Sequence, residues 1–344
     1  MSEMLQLGIF SSKAVLTVLL MAVAGAALVR FKFLKDESLG VLSQCVFAIM
    51  LPCLLFSKVA EKIDLNVLLR YWLVPASAVL FVFSGLLFGY IAAKLLRHPP
   101  HFFKAGVAAS SFGNISFIPI PLIAAMTAIF PAFSSTPGSA AQGIAYISLY
   151  LMVYSPMLWS IGFRLLSAED STNGRIRFLD IVNPPLIGMA CGILVGTIPA
   201  MKWLFIGQGA LLSPLFNAAE TVGTAAIPCA IIVLGGKLAY GPTHCALPLR
   251  SIIGISLVKL VILPGFALGC VWSVMKYGII PKDPLLAVIL VVEAAVPQAT
   301  NLSIMCSLRN KAIEKDMACL LFWNYLASAP ILAAFIVLTL WLLG

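Results

Sequence analysis

The sequence predicts an all-α integral membrane protein of ten helices. Three observations carry that reading. The 344 residues are 61% hydrophobic and only 10% charged, far outside the usage of soluble domains. Apolar stretches of membrane-spanning length, which takes about 20 residues, fill most of the chain. The prolines that interrupt those stretches recur at matching places in two halves.

The ten segments fall at 14–30, 39–60, 70–95, 102–129, 143–166, 180–198, 212–238, 248–275, 283–308 and 317–343. The loops between them are too short to hold a soluble domain. Glu3 and Lys13 precede the first segment, and Arg30-Phe31-Lys32 follows it. Those flanks suit a retained helix rather than a cleaved signal. The net charge of +9 raises the question of nucleic acid, but the basic residues lie where topology signals lie, so no nucleic-acid partner is expected. Loops after odd-numbered segments, with Arg30, Lys94, Arg97, Arg175 and Lys311 among their residues, carry about a twofold excess of Lys and Arg, which places them in the cytosol. Both termini are then non-cytosolic. Eight cysteines occur, all but Cys245 within apolar segments and none in a Cys-x-x-Cys pair. They read as small buried hydrophobes rather than a disulfide or zinc framework.

The halves resemble each other. Pro52 in Leu51-Pro-Cys-Leu54 is answered by Pro228 in Ile227-Pro-Cys-Ala230, Pro119 by Pro297 and Pro156 by Pro330, each about 175 residues further on. Five segments is an odd number, so the second half enters the membrane from the opposite side. That makes two inverted five-helix repeats, an architecture of transporters. The expected organisation is a first repeat over 1–168, a cytosolic linker over 169–179 and a second repeat over 180–344. The linker region holds Asp170-Ser-Thr-Asn-Gly174, a run of turn residues.

Segments 4 and 9 are the broken ones. Segment 4 contains Phe112-Gly-Asn-Ile-Ser-Phe-Ile-Pro119-Ile-Pro121, and segment 9 contains Glu293-Ala-Ala-Val-Pro297-Gln-Ala-Thr-Asn301. A proline inside a helix removes one backbone hydrogen bond and clashes with the preceding turn. In lipid the freed groups need partners, so such a break survives only against protein or a water-lined cavity. Asn114 and Asn301 lie within about a turn of their prolines, and a carboxamide both donates and accepts. Half-helix N-termini add free N–H groups and a positive dipole end. Together they suit a small organic anion, with Ser116 and Gln298 as companions; the same amides can also cap the broken helices.

Three charges fall within segments: Glu220, Lys259 and Glu293. Each costs about 2.5–3.5 kcal/mol at a helix centre, which makes intramembrane charges functional candidates. Glu293, one turn before Pro297, can carry a proton, coordinate sodium or pair with Lys259. Glu220 lies near a segment end and can reach the interface. Gly188, Gly192 and Gly196, like Gly85/Gly89 and Gly265/Gly269, make flat stripes for close helix approach. His98-Pro-Pro-His101 offers too few ligands for a metal and reads as a solvated loop. No Gly-x-x-x-x-Gly-Lys loop is present, so neither a metal nor a nucleotide cofactor is expected. An intramembrane enzyme or sensor remains the rival class. An enzyme would need a nucleophile–base or metal set, and the three histidines lie in loops.

In its ordered motifs the chain resembles the auxin efflux carrier superfamily, and its PIN-LIKES branch most closely. The stretches are Phe33-Leu-Lys-Asp-Glu37 and Leu51-Pro-Cys-Leu-Leu-Phe56, the two breaks, Asn183-Pro-Pro-Leu-Ile-Gly188, Leu204-Phe-Ile-Gly207, Ala225-Ala-Ile-Pro-Cys229, Leu234-Gly-Gly236 and Cys319-Leu-Leu-Phe-Trp-Asn-Tyr325. The resemblance implies an elevator-type secondary transporter for auxin (indole-3-acetic acid) or a similar carboxylate. It implies that helices 4 and 9 cross at Pro119 and Pro297 beside the substrate, with an amide on the carboxylate. Helices 1, 2, 6 and 7 would form a scaffold and the others a moving domain. It further implies a multi-pass protein of the endoplasmic reticulum membrane, with the plasma membrane as the other location, acting in auxin signalling; a homodimer is kept among the expected partners. Ser116 and Phe117 stand where plant members tend to carry a second Gly-Asn pair, and the linker is shorter. That widens the expected substrate to other small carboxylates. A sodium- or proton-coupled symporter of the crossed-helix type is the alternative mechanism.

Overall fold

The computed structural model describes residues 20–166, 184–207, 209–239, 245–279, 282–309 and 313–343. The 169–179 linker expectation lies outside the described residues, as does Asn183. Among those described, all regular structure is helical, apart from one isolated backbone bridge. Besides short helices at Leu65–Arg70 and Pro131–Ser134, the helices are α1 Leu20–Arg30, α2 Glu37–Lys62, α3 Leu73–Leu95, α4 Phe103–Ser111, α5 Pro119–Ile129, α6 Ser139–Leu166, α7 Pro184–Thr197, α8 Pro199–Phe205, α9 Ser213–Gly236, α10 Leu249–Lys276, α11 Pro284–Ala295, α12 Thr300–Arg309 and α13 Glu314–Leu343. Six of them (α2, α3, α6, α9, α10 and α13) are long and apolar enough to cross a membrane. The bent pair α7–α8, folded by 107° at Ile198, makes a seventh if counted as one span. Segments 4 and 9 are each split in two, which is why neither yields one long helix.

Prolines shape the long helices. Pro52 and Pro264 each follow a π-helical turn, Val46–Met50 in α2 and Val258–Ile262 in α10, and Pro156 precedes one at Leu158–Gly162 in α6. Such turns recur at functional sites in helices. All three turns hold residues that matter below: Phe47, Trp159 and Lys259.

Glycine sets the closest approaches. A Cβ on Gly188 would run into the Pro52 carbonyl, one on Gly192 into Phe56 and Val59, and one on Gly196 into the Ile63 carbonyl. The stripe read from sequence thus lies flat along α2. Gly223 of α9 meets the α2 backbone at Cys53–Leu54 from another direction, and Gly25 and Gly235 hold α1 against α9. Gly85 and Gly89 of α3 meet Ser111 and Ser110 of α4. The expectation fails for Gly265 and Gly269, where an added Cβ would meet nothing. Those two lie on an outward side of α10, so their spacing marks no packing seam within the chain.

The most enclosed element is α11, buried at every position from Leu285 to Ala295. A helix apolar all round belongs in a core. Its start is well specified: Asp283 accepts from the N–H groups of Leu285 (3.0 Å) and Leu286 (3.2 Å), and Pro284 occupies the first turn. Tyr146 donates to the same carboxylate at 2.8 Å, tying α6 to it.

Two further expectations are corrected. Cys245 and Cys319 form a disulfide that joins the segment before α10 to α13, with Cα atoms 5.7 Å apart. Residues 74 apart in sequence gave no local spacing from which to read this. Of the remaining cysteines only Cys306 is buried, and Cys191 is exposed. His98 lies in a loop but is not solvated: its ring is buried beside Gly106 and Gly254. Burial, and then the nearby Arg250 charge, hold its imidazole below the ordinary value of 6.5. His101 instead approaches Asp316 at 3.4 Å, and no three candidate metal ligands cluster among the described residues.

Candidate functional site

The two breaks meet. Chain 112–118 leaves α4 in extended conformation at Phe112, and chain 296–299 leaves α11 the same way at Val296. The Asn114 N–H donates to the Pro297 carbonyl at 2.8 Å, and the Ala299 N–H donates to the Phe112 carbonyl at 3.0 Å. Gly113 and Gln298 thereby pair as an antiparallel bridge. Each break supplies the backbone partners the other lacks, which answers the requirement that unwound chain inside a membrane be satisfied by protein.

This pairing sorts four helix ends into two kinds. The C-terminal ends of α4 and α11 present carbonyls, and the Lys259 ammonium donates to both, to Ser111 at 3.3 Å and to Ala294 at 3.2 Å. The N-terminal end of α12 and the turn that leads into α5 open instead on a cavity beside the bridge. Its polar lining is Asn114, Ser116, Tyr154, Ser155, Thr300 and Asn301; its apolar lining includes Phe47, Leu51, Phe117, Leu158, Trp159 and Pro185. None of the described residues that line it is charged. The wall opposite the breaks comes from α2, α6 and α7. An apolar pocket with a few convergent polar groups suits a small organic molecule, and among its described lining residues positive potential comes from the α12 N-terminus and from N–H groups.

Asn114 already has two partners. Its Oδ1 accepts from the Phe117 N–H at 3.0 Å, and its Nδ2 donates to the Tyr325 hydroxyl at 2.6 Å. Tyr325 in turn donates to the Gln298 carbonyl at 3.0 Å. The amide therefore holds the turn into α5 and links it to the second break. One amide hydrogen and one oxygen lone pair remain available.

The structure brings Asn114, Ser116 and Asn301 to one cavity and leaves Gln298 behind the bridge. The Gln298 side chain is fully buried, with neither Oε1 nor Nε2 hydrogen-bonded. Pro297 serves the bridge through its carbonyl, and Pro119 starts α5. Glu293 is buried with both carboxyl oxygens unpartnered, in the neighbourhood of Lys259, Tyr150 and Tyr154. Lys259 and Glu293 do not make a contact ion pair, because the ammonium is directed at helix-end carbonyls. Glu220 pairs with Lys58 at 2.6 Å rather than reaching alone for the interface.

Sequence reasoning missed Tyr154 and Trp159. Tyr154 donates to the Gly113 carbonyl at 2.9 Å and stacks on Tyr150. A signal was present: Tyr146, Tyr150 and Tyr154 repeat every fourth residue, which puts three hydroxyls on one face of an apolar helix.

A bundle of apolar helices around two mutually bridged breaks defines a polytopic membrane transport protein. A family model described as "Membrane transport protein" matches residues 10–177 and 174–336. The chain belongs to this family, that of the auxin efflux carriers, and resembles its PIN-LIKES members throughout. It is 26% identical to Protein PIN-LIKES 5 of Arabidopsis thaliana, with 96% of each chain covered, and 26% identical to Protein PIN-LIKES 2 of the same plant, with 86% of each covered. A Schizosaccharomyces pombe protein named as an uncharacterized transporter is 21% identical over 92% of this chain and 91% of its own. The chain is thus a multi-pass membrane transporter and not an enzyme.

Proposed function

We propose that the protein is a secondary transporter of a small organic anion, with an aromatic monocarboxylate such as auxin as the best-matched chemistry. One observation carries this reading: the half-helix N-terminus of α12 and two carboxamides, Asn114 and Asn301, share one cavity whose described lining residues carry no charge. Helix N-termini favour carboxylates, and Phe47, Phe117 and Trp159 supply an apolar wall for a ring. The transported anion would lie between α2/α7 on one side and the bridged breaks on the other. We read the ten segments as two inverted repeats, with α1, α2, α7 and α9 as scaffold and the remaining helices moving past it as an elevator. Saturable uptake of a labelled aromatic carboxylate into proteoliposomes tests the reading.

A second reading, proton coupling, has its own observation: Glu293 is buried one turn from the crossing and neither oxygen has a partner. It modifies the drive, not the substrate.

The proposed location, the endoplasmic reticulum membrane, rests on the family resemblance, and the proposed orientation, with both termini lumenal, rests on the basic-residue bias. The Cys245–Cys319 disulfide pulls the other way, because it lies on the basic side and disulfides are rare in the cytosol. A glycosylation tag appended after Gly344 decides the matter. The basic bias predicts modification there and none of a tag in the 169–179 linker; modification of the linker tag alone reverses the orientation.

A further inference from the structure

We propose that Lys259 is a resident cation that permanently fills the cation position of the crossing, so that the carrier binds no sodium there. In carriers with discontinuous helices, half-helix C-terminal ends and unwound carbonyls coordinate sodium or protons. Here the two such ends, at Ser111 and Ala294, converge on a single ammonium. Lys259 is 1% exposed and sits in the π-helical turn of α10, on an element that belongs to neither break. The neighbouring Glu293 carboxyl adds two further oxygens with no partner. Carbonyl oxygens are ligands for a hard cation, and the ammonium occupies the place between these two. Space is reserved for the ammonium as well: a Cβ on Gly113 would lie 2.8 Å from Nζ. Gly113 has no left-handed φ to require glycine, so the close approach of Lys259, together with Val296 Cγ2 at 3.0 Å, is the steric reason for its absent side chain.

The inference concerns the opposite side of the bridge from the anion cavity and is independent of what the cavity carries. It is tested on the purified carrier without substrate, by thermal melting in sodium chloride and in choline chloride. The wild type melts at the same temperature in both. Lys259→Met keeps bulk without charge, leaves the two helix ends uncompensated and melts lower in both salts, by roughly 5 °C for a chain of this kind. Lys259→Ala melts lower in choline and is raised by sodium in a saturable way, because the ion enters the vacated oxygen set and stabilises by mass action. Sodium stabilising the wild type equally, Lys259→Met melting as the wild type, or Lys259→Ala being indifferent to sodium would each overturn the proposal. If neither lysine variant can be purified folded, Gly113→Ala decides: its methyl displaces the ammonium, so its melting must fall, and melting at or above the wild type refutes the assignment.

Discussion

Asn114→Ala and Asn301→Ala each weaken binding of an aromatic carboxylate by about ten- to a hundredfold, the equivalent of losing about 1.5–3 kcal/mol from a hydrogen bond to a charged group. The matching primary amide of the same ligand loses far less, because its bond to a carboxamide is a neutral one. Asn114→Ala also lowers the melting temperature. Its Oδ1 caps the turn at Phe117 and its Nδ2 holds Tyr325, and losing a cap costs about 1 kcal/mol. Asn114→Asp separates the two roles: the cap oxygen survives, while a carboxylate now faces the anion and repels it. Equilibrium binding by isothermal titration, with melting as the control, reads these effects. If both alanine variants bind the acid normally, the amides are helix caps alone and the anion site lies elsewhere.

Glu293→Gln is expected to abolish the dependence of transport on a pH gradient while leaving substrate binding intact. The substitution keeps shape and removes ionisation from a buried carboxyl that has no hydrogen-bond partner. If the carboxyl is structural instead, holding the Lys259 ammonium in place by charge, the variant melts lower and the pH dependence of uptake persists. Counterflow and gradient-driven uptake, measured side by side in proteoliposomes, distinguish the two.

The locations of the helices were legible because membrane solvation writes itself into composition: each apolar segment overlaps a described helix or a split pair. The breaks were legible too, since a proline inside a helix has a local steric consequence wherever it occurs. Partners were not. Gly188 and Gly265 carry the same four-residue spacing, yet one lies on Pro52 and the other on nothing, because spacing defines a face and says nothing about what it meets. Lys259 read as a partner for Glu293 because opposite charges in one membrane attract. The competing acceptors were backbone carbonyls at helix ends, which exist only once both helices are broken and crossed. The Cys245–Cys319 bond and the Tyr154–Gly113 hydrogen bond are likewise products of tertiary folding between distant stretches. Gln298 was grouped with Asn301 by proximity in sequence, but Gln298 is locked in the bridge while Asn301 lies in the first turn of α12 on the cavity side.

The central claim is that the cavity at the crossing carries a small organic anion across the membrane. Uptake of radiolabelled indole-3-acetate into liposomes containing the purified protein tests it most directly. The account predicts saturable uptake above protein-free liposomes, competed by other aromatic monocarboxylates but not by indole-3-acetamide, and strongly reduced in Asn114→Asp at unchanged reconstitution. Uptake no greater than in empty liposomes for this and other small aromatic carboxylates, or uptake competed equally by the amide and untouched by Asn114→Asp, would contradict it.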